Sequence, residues 1–130
     1  MKKDYSDELF WEQVASDSPT LLAFWSHNCP PCQVMAPVFE RAGKHFRDRI
    51  EFVAVNTYDR PDIAGRFGVK STPTLILVRR SKALRHFYGL IRESVLRQHL
   101  EPYAPAAGED RPRPEKRSLR ARLLGSDRVE

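Results

Sequence analysis

The chain has 130 residues, 41% of them hydrophobic, and a formal net charge of +5. That length accommodates one domain with a real core and a short appendage. No apolar run nears the roughly 18 residues that span a membrane, the small basic excess reads as a solvated surface rather than a nucleic-acid footprint, and two cysteines are too few for a disulfide scaffold.

The first eight residues carry two lysines but no apolar h-region of a signal peptide. The expected location is the cytoplasm. Residues 7–16 read as a short amphipathic helix, with Ser6 or Asp7 as its cap and carboxylates in its first turn. Ser18-Pro19 ends it. Thr20 to Trp25 is a continuous apolar run without helical spacing, which fits a strand buried on both faces.

The stretch from Phe24 to Cys32 follows, and it holds both cysteines of the chain. Cys29 and Cys32 are separated by Pro30 and Pro31, directly before a helical pattern. Residues at i and i+3 of a first turn face the same way, with Cβ atoms about 5–6 Å apart. A disulfide wants about 3.5–4.5 Å, so a slight tightening of the turn joins them. Tandem prolines suit a helix start, because their missing amide hydrogens would go unpaired there and their φ is already helical. Free amides and the helix dipole favour a thiolate at the first cysteine. Cys29 is therefore the expected nucleophile and Cys32 the resolving thiol. At this point both redox cycling and metal binding remain open for the pair.

Residues 30–47 form the longest helical candidate, with Val34, Met35, Val38, Phe39, Ala42 and Phe46 recurring at three and four and Pro37 as an expected kink. Ile50 to Asn56 reads as a second strand. Arg60 to Phe67 reads as a short helix, opened by Pro61 and closed by Gly68. Thr74 to Val78 is a third strand, Arg79 to Lys82 a polar turn, and Ala83 to Tyr88 a fourth strand antiparallel to the third. After Gly89, residues 91–101 form a closing helix with Ile91, Val95, Leu96 and Leu100 on one stripe. This order gives an α/β sandwich, helices on both faces of a mixed sheet of about four strands.

From Pro102 the composition shifts. Four of the ten prolines lie there, and residues 104–130 hold seven basic and five acidic residues. The expected division is a folded domain over 1–103 and a Pro-rich, basic, flexible tail over 104–130, with one or two helical turns over 116–124.

Beyond Cys29-Pro-Pro-Cys32, the chain carries Phe24-Trp25 before the motif and Met35-Ala36-Pro37 after it. It goes on with Val55-Asn56, Phe67-Gly68-Val69, Ser71-Thr72-Pro73-Thr74-Leu75, and Gly89 before the last helix. With these motifs, from about Asp4 to Tyr103, the sequence resembles the thioredoxin family. A CxxC alone is weak. A CxxC after a buried strand, with Thr-Pro-Thr roughly 40 residues later opening another strand, is specific.

The resemblance implies a thioredoxin-like three-layer α/β/α fold and a thiol–disulfide oxidoreductase. Its redox group is the Cys29–Cys32 disulfide itself, with no other cofactor and no metal. Pro73 takes the place of the family's cis-proline beside the cysteines, a rare peptide form outside X–Pro bonds. The backbone of Thr72 pairs with an extended substrate. Trp25 shields the pair, Pro30 and Pro31 lie at its mouth, and Gly68 and Gly89 lie near the binding surface. The implied partners are protein thiols and disulfides and an electron donor such as a thioredoxin reductase, with no nucleic acid and no membrane. Zinc commonly takes four protein ligands, and this chain offers two thiolates.

The departures are equally specific. Ala23 and Ala54 stand where the family has a buried aspartate and a lysine. Asn28 stands where it has a tryptophan before the first cysteine, and Pro30 where it has glycine. The aspartate assists proton transfer when the second cysteine attacks. The family's first short strand is missing. These departures raise one competitor, a thioredoxin-fold binding or scaffold module with weak or no redox turnover. A further idea concerns His27, which as an imidazolium two residues before Cys29 would stabilise its thiolate. An exposed loop histidine is the plainer reading. His45, His86 and His99 read as surface or structural residues.

Overall fold

A computed structural model describes residues 7–105. The readings placed on Ser6 and on the tail beyond residue 105 lie outside the described residues. The elements run α1 Asp7–Ala15, β1 Thr20–Trp25, α2 Pro30–His45, β2 Glu51–Asn56, α3 Pro61–Arg66, β3 Thr74–Arg79, β4 Lys82–Tyr88 and α4 Glu93–Leu100, then a 3-10 turn at Glu101–Tyr103. The strands form one sheet in the order β2-β1-β3-β4. β1 and β2 are parallel, and the other two pairs are antiparallel.

Strand alternation divides the core into two halves. Leu22 and Phe24 of β1, Val53 and Val55 of β2 and Ile76 and Val78 of β3 face one side, where Leu9, Phe10 and Val14 of α1 and Ile63 of α3 cover them. Leu21, Ala23, Leu75 and Leu77 face the other side, under Met35, Phe39 and Ala42 of α2 and Leu96 and Leu100 of α4. The two central strands are thus buried on both faces, as continuous apolar runs require. Each fully buried aliphatic or aromatic side chain contributes about 1.5–3 kcal/mol relative to exposure. A buried amide–hydroxyl pair, Gln13 Nε2 donating to Thr20 Oγ1 at 2.8 Å, ties α1 to the start of β1.

Several boundaries differ from the sequence reading by a residue or two, and at four places the local reason is plain. The long helix stops at His45, and Val34 is 57% exposed rather than in the core stripe. Adjacent residues on a helix stand about 100° apart, so Met35 takes the core position and Val34 faces outward. β2 begins at Glu51, because the Ile50 amide still donates to Phe46 O at 3.0 Å in the turn after α2. The hairpin turn is only Arg80-Ser81, with Arg79 paired to Lys82 and φ of 53° and 63° at the two central residues. Two consecutive positive φ values match the twist of a two-residue hairpin. The ladder then shifts by one between Leu77 and Val78, leaving Leu84 as the extra residue of a bulge. The closing helix starts at Glu93, since Arg92 is extended (φ −69°, ψ 149°), and Ile91 packs on the core from outside the helix.

The end of α3 shows why Gly68 stands where it does. Its φ is +67°. The Gly68 amide donates to Gly65 O at 3.1 Å and the Val69 amide to Ala64 O at 2.9 Å. This is the paired closure of a Schellman cap, whose left-handed residue is usually glycine. The cap turns the chain toward the Thr72 loop. On the opposite face Arg41 of α2 donates to Glu93 of α4 at 2.6 Å. That hydrogen bond is the main reason the Glu93 carboxyl is held below the usual carboxylate range. An exposed pair of this kind positions the helices more than it stabilises them.

Candidate functional site

The site is assembled at the end of β1. The Trp25 carbonyl accepts from the Thr57 amide at 2.8 Å and from Thr57 Oγ1 at 3.3 Å, which anchors the strand end to the chain after β2. The chain then leaves the sheet through Asn28, whose φ of 57° is a conformation asparagine tolerates better than most residues. Cys29 is the N-cap of α2, extended at φ −127° and ψ 92°. Pro30 and Pro31 fill the first two helical positions and are exposed. Their missing amides leave Cys32 as the first N–H available inside the helix. That N–H reaches Cys29 O at 2.9 Å and Cys29 Sγ at 3.3 Å.

Cys29 and Cys32 are joined in a disulfide with their Cα atoms 5.2 Å apart. Cys29 is 8% exposed and Cys32 3%. The first cysteine is thus the outer of the two, at the positive end of a 16-residue helix.

The second part of the site comes from the loop before β3. The Thr72–Pro73 peptide bond is cis. Thr72 Oγ1 donates to Cys29 Sγ at 3.4 Å, and Thr72 O lies 3.7 Å from the same sulfur. Ser26 Oγ lies 3.0 Å from Thr72 Oγ1. Pro73 is buried, and its carbonyl accepts from the Gly89 amide at 3.0 Å. Gly89 has φ +75°, which favours glycine. The structure therefore links Cys29, Cys32, Thr72, Pro73 and Gly89 through direct bonds and chain adjacency. Ser26 was not singled out by the sequence. Its partner is 46 residues away, so only the fold reveals it.

Trp25 sits beside this group, half-buried, with its ring edge-on to His27 at 5.5 Å. His27 in turn meets Tyr58, which is 78% exposed, at 6.3 Å. Asn56 orients His27. Its Oδ1 accepts from the Tyr58 amide at 2.8 Å and the Asp59 amide at 3.3 Å. Asn56 Nδ2 is left to face His27 Nε2 at 3.2 Å. An amide nitrogen only donates, so in this contact the ring nitrogen is the acceptor. His27 thus engages Asn56 and two aromatic rings, and its bonded partner is not the Cys29 sulfur. Of the other histidines, His45 pairs with Glu101 at 3.7 Å and His99 with Arg85 at 3.0 Å, while the His86 ring stacks on Tyr88.

Ala23 and Ala54 are direct cross-strand partners. Both pack into the core half that α2 covers, the helix that carries Cys32. Two methyl groups thus stand side by side in the core half beneath the helix that carries Cys32. Placing a base there gives a direct test. In Ala23→Asp, burial raises the carboxyl pKa toward the range where a base works near neutral pH. Attack by Cys32 on a mixed disulfide is then expected to quicken by about 10²-fold. Single-turnover release of a chromogenic aryl thiol from Cys29 measures it, and an unchanged rate would show that proton transfer does not limit the step.

No group of three or more metal-ligating side chains occurs among the described residues. No helix among them is long and apolar enough to cross a membrane.

A CxxC at a helix N-terminus just after a buried strand, closed by a cis-proline loop on a four-stranded mixed sheet, defines a thiol–disulfide exchange protein. The thioredoxin family model matches residues 2–102, and the chain belongs to that family. It is 32% identical over 99 residues to thioredoxin 1 of Nostoc sp., covering 75% of this chain and 92% of that one. It is 34% identical over 104 residues to a thioredoxin-like protein of Synechocystis sp., covering 79% and 97%. A thioredoxin of Porphyra purpurea is 32% identical over 92 residues, covering 71% and 86%. The protein is accordingly a protein-disulfide oxidoreductase that works through the Cys29–Cys32 pair.

Proposed function

We propose that Cys29 is the attacking thiolate and Cys32 the resolving thiol, on extended protein substrates that dock along Thr72. The observation that carries this reading is the position of Cys29, the outer sulfur, capping α2 and touching the Thr72 loop. In the reduced protein the Cys29 thiolate attacks one sulfur of a substrate disulfide. A Cys29–substrate bond forms, and the substrate's other sulfur leaves as a thiolate and takes up a proton. Cys32, losing its proton, then attacks the Cys29 sulfur. The Cys29–Cys32 bond forms and the second substrate sulfur leaves as a thiol. Two electrons have passed to the substrate, and each of its sulfurs has gained one proton. The reverse sequence oxidises a substrate dithiol.

The helix end supports the first step, since its dipole and the Cys32 amide favour negative charge at Cys29. Trp25 and the exposed prolines flank the sulfur pair, and the Gly89–Pro73 bond fixes the loop against which a substrate strand lies. The electron donor in this reading is a reductase such as a thioredoxin reductase. The setting is a reducing compartment such as the cytoplasm, with residues 1–103 as the working domain. The scaffold-only alternative, raised by the alanines at positions 23 and 54, is not favoured, because both cysteines are in place and joined and Cys29 touches the Thr72 loop.

A trapping experiment tests the assignment. Reduced Cys32→Ser protein mixed with oxidised insulin is expected to accumulate a covalent adduct that dithiothreitol releases. No adduct, or an equal adduct from Cys29→Ser, would reverse or remove the roles.

A further inference from the structure

The hydroxyl groups of Ser26 and Thr72 form a chain that ends on the reactive sulfur. Ser26 Oγ is 3.0 Å from Thr72 Oγ1, and Thr72 Oγ1 is 3.4 Å from Cys29 Sγ. Either oxygen of the first contact can be the donor. A hydroxyl has one proton and two acceptor lone pairs. Thr72 can therefore donate to the sulfur while accepting from Ser26, or donate to Ser26 and offer the sulfur nothing. A thiolate decides between these. An anionic acceptor makes a hydrogen bond roughly twice as strong as a neutral one. Donation by Ser26 also polarises Thr72 and strengthens the next bond in the chain.

We propose that the Thr72 hydroxyl is a catalytic hydrogen-bond donor to the Cys29 thiolate, and that Ser26 is the positioning residue that aims its proton. The proposal rests on the reading of Cys29 as the attacking sulfur. It gives Thr72 a side-chain role separate from its backbone role in substrate pairing.

Two features favour this over a merely structural contact. The sulfur already accepts one hydrogen bond, from the Cys32 amide at 3.3 Å, and the prolines supply no amides before it. The Thr72 hydroxyl is the second donor, arriving from a different element. Thr72 O, 3.7 Å from the sulfur, acts in the opposite sense, since a carbonyl oxygen disfavours a neighbouring anion. That backbone effect is the same for any residue at position 72. Substituting the side chain therefore isolates the hydroxyl.

The test is iodoacetamide alkylation of the reduced full-length protein across pH, with Cys29 and Cys32 read separately by peptide mass spectrometry. Thr72→Val keeps the shape and removes the hydroxyl. It is expected to move the Cys29 midpoint up by about one pH unit, which is about tenfold less thiolate below the midpoint. Thr72→Ser is expected to restore most of the wild-type profile, and Ser26→Ala to shift the midpoint in the same direction by a smaller amount. A Thr72→Val profile that overlays wild type overturns the proposal. So does an equal shift in Thr72→Val and Thr72→Ser, which would trace the effect to packing of the methyl group. Alkylation of Cys32 ahead of Cys29 in wild type would instead overturn the nucleophile assignment. The Cys29 midpoints in the same data still report on the hydroxyl, so the two failures are distinguishable.

Discussion

Cys29→Ser is expected to abolish dithiol-coupled reduction of a protein disulfide, with kcat/KM falling on the order of 10³-fold or more. The argument is chemical before it is structural. Disulfide exchange runs through a thiolate, and a serine hydroxyl stays protonated at neutral pH even at a helix N-terminus. The fold survives the change, because serine is a favoured N-cap residue and its oxygen can accept the Cys32 amide in place of the sulfur. The variant therefore separates chemistry from stability. Its thermal unfolding in reducing buffer is expected to match that of the reduced wild type, while insulin reduction by dithiothreitol runs at the uncatalysed rate. Retained catalysis would transfer the nucleophile's role to Cys32.

The largest effect on stability is expected from Phe24→Ala. Phe24 is fully buried in the central strand β1, stands one residue from Trp25, and meets Phe67 with ring centroids 5.8 Å apart. Removing such a ring loses its transfer energy and leaves a cavity that the surrounding strands cannot close, a cost of about 3–5 kcal/mol. Domains of this size are stable by only about 5–15 kcal/mol. Urea unfolding should therefore show a much lower midpoint with an unchanged slope. The effect reaches the site, since the end of β1 sets where Ser26 and Cys29 stand. A loss below about 1 kcal/mol would show that the helices over this face repack freely, contrary to the close-packed core described above.

The fold was legible where local signals agree. β1 and β3 are unbroken apolar runs, and each is buried on both faces. The cysteine turn was legible because strand, double proline and helical spacing meet within a few residues. Legibility ended where the determining contact is distant or the backbone is unusual. The Arg80-Ser81 turn carries two positive φ values without glycine or asparagine, so its chemistry gives no sign of a two-residue hairpin. Val34 and Met35 both satisfied a helical stripe, and only the position of the sheet chose between them. The Ser26–Thr72 contact and the Gln13–Thr20 pair join hydroxyls and amides that no sequence pattern marks. At position 27 the plainer reading is an exposed loop histidine rather than an activator of Cys29. His27 is exposed, and Asn56, fixed by two backbone amides, holds it beside Trp25 and Tyr58.

Alanines stand opposite one another at positions 23 and 54. They keep the core half beneath α2 apolar, so proton transfer from Cys32 must use a group outside those two positions. The hydroxyl chain at Cys29 acts on the other sulfur.

The most direct measurement is a redox titration of the purified protein in glutathione buffers, with reduced thiols alkylated and the mass shift recorded at each ratio. The account predicts one two-electron transition, in which Cys29 and Cys32 pass together from both alkylated to neither. If no intramolecular disulfide forms at any ratio, or if the cysteines pair only with glutathione, the Cys29–Cys32 couple is not the working group and the account fails at its centre.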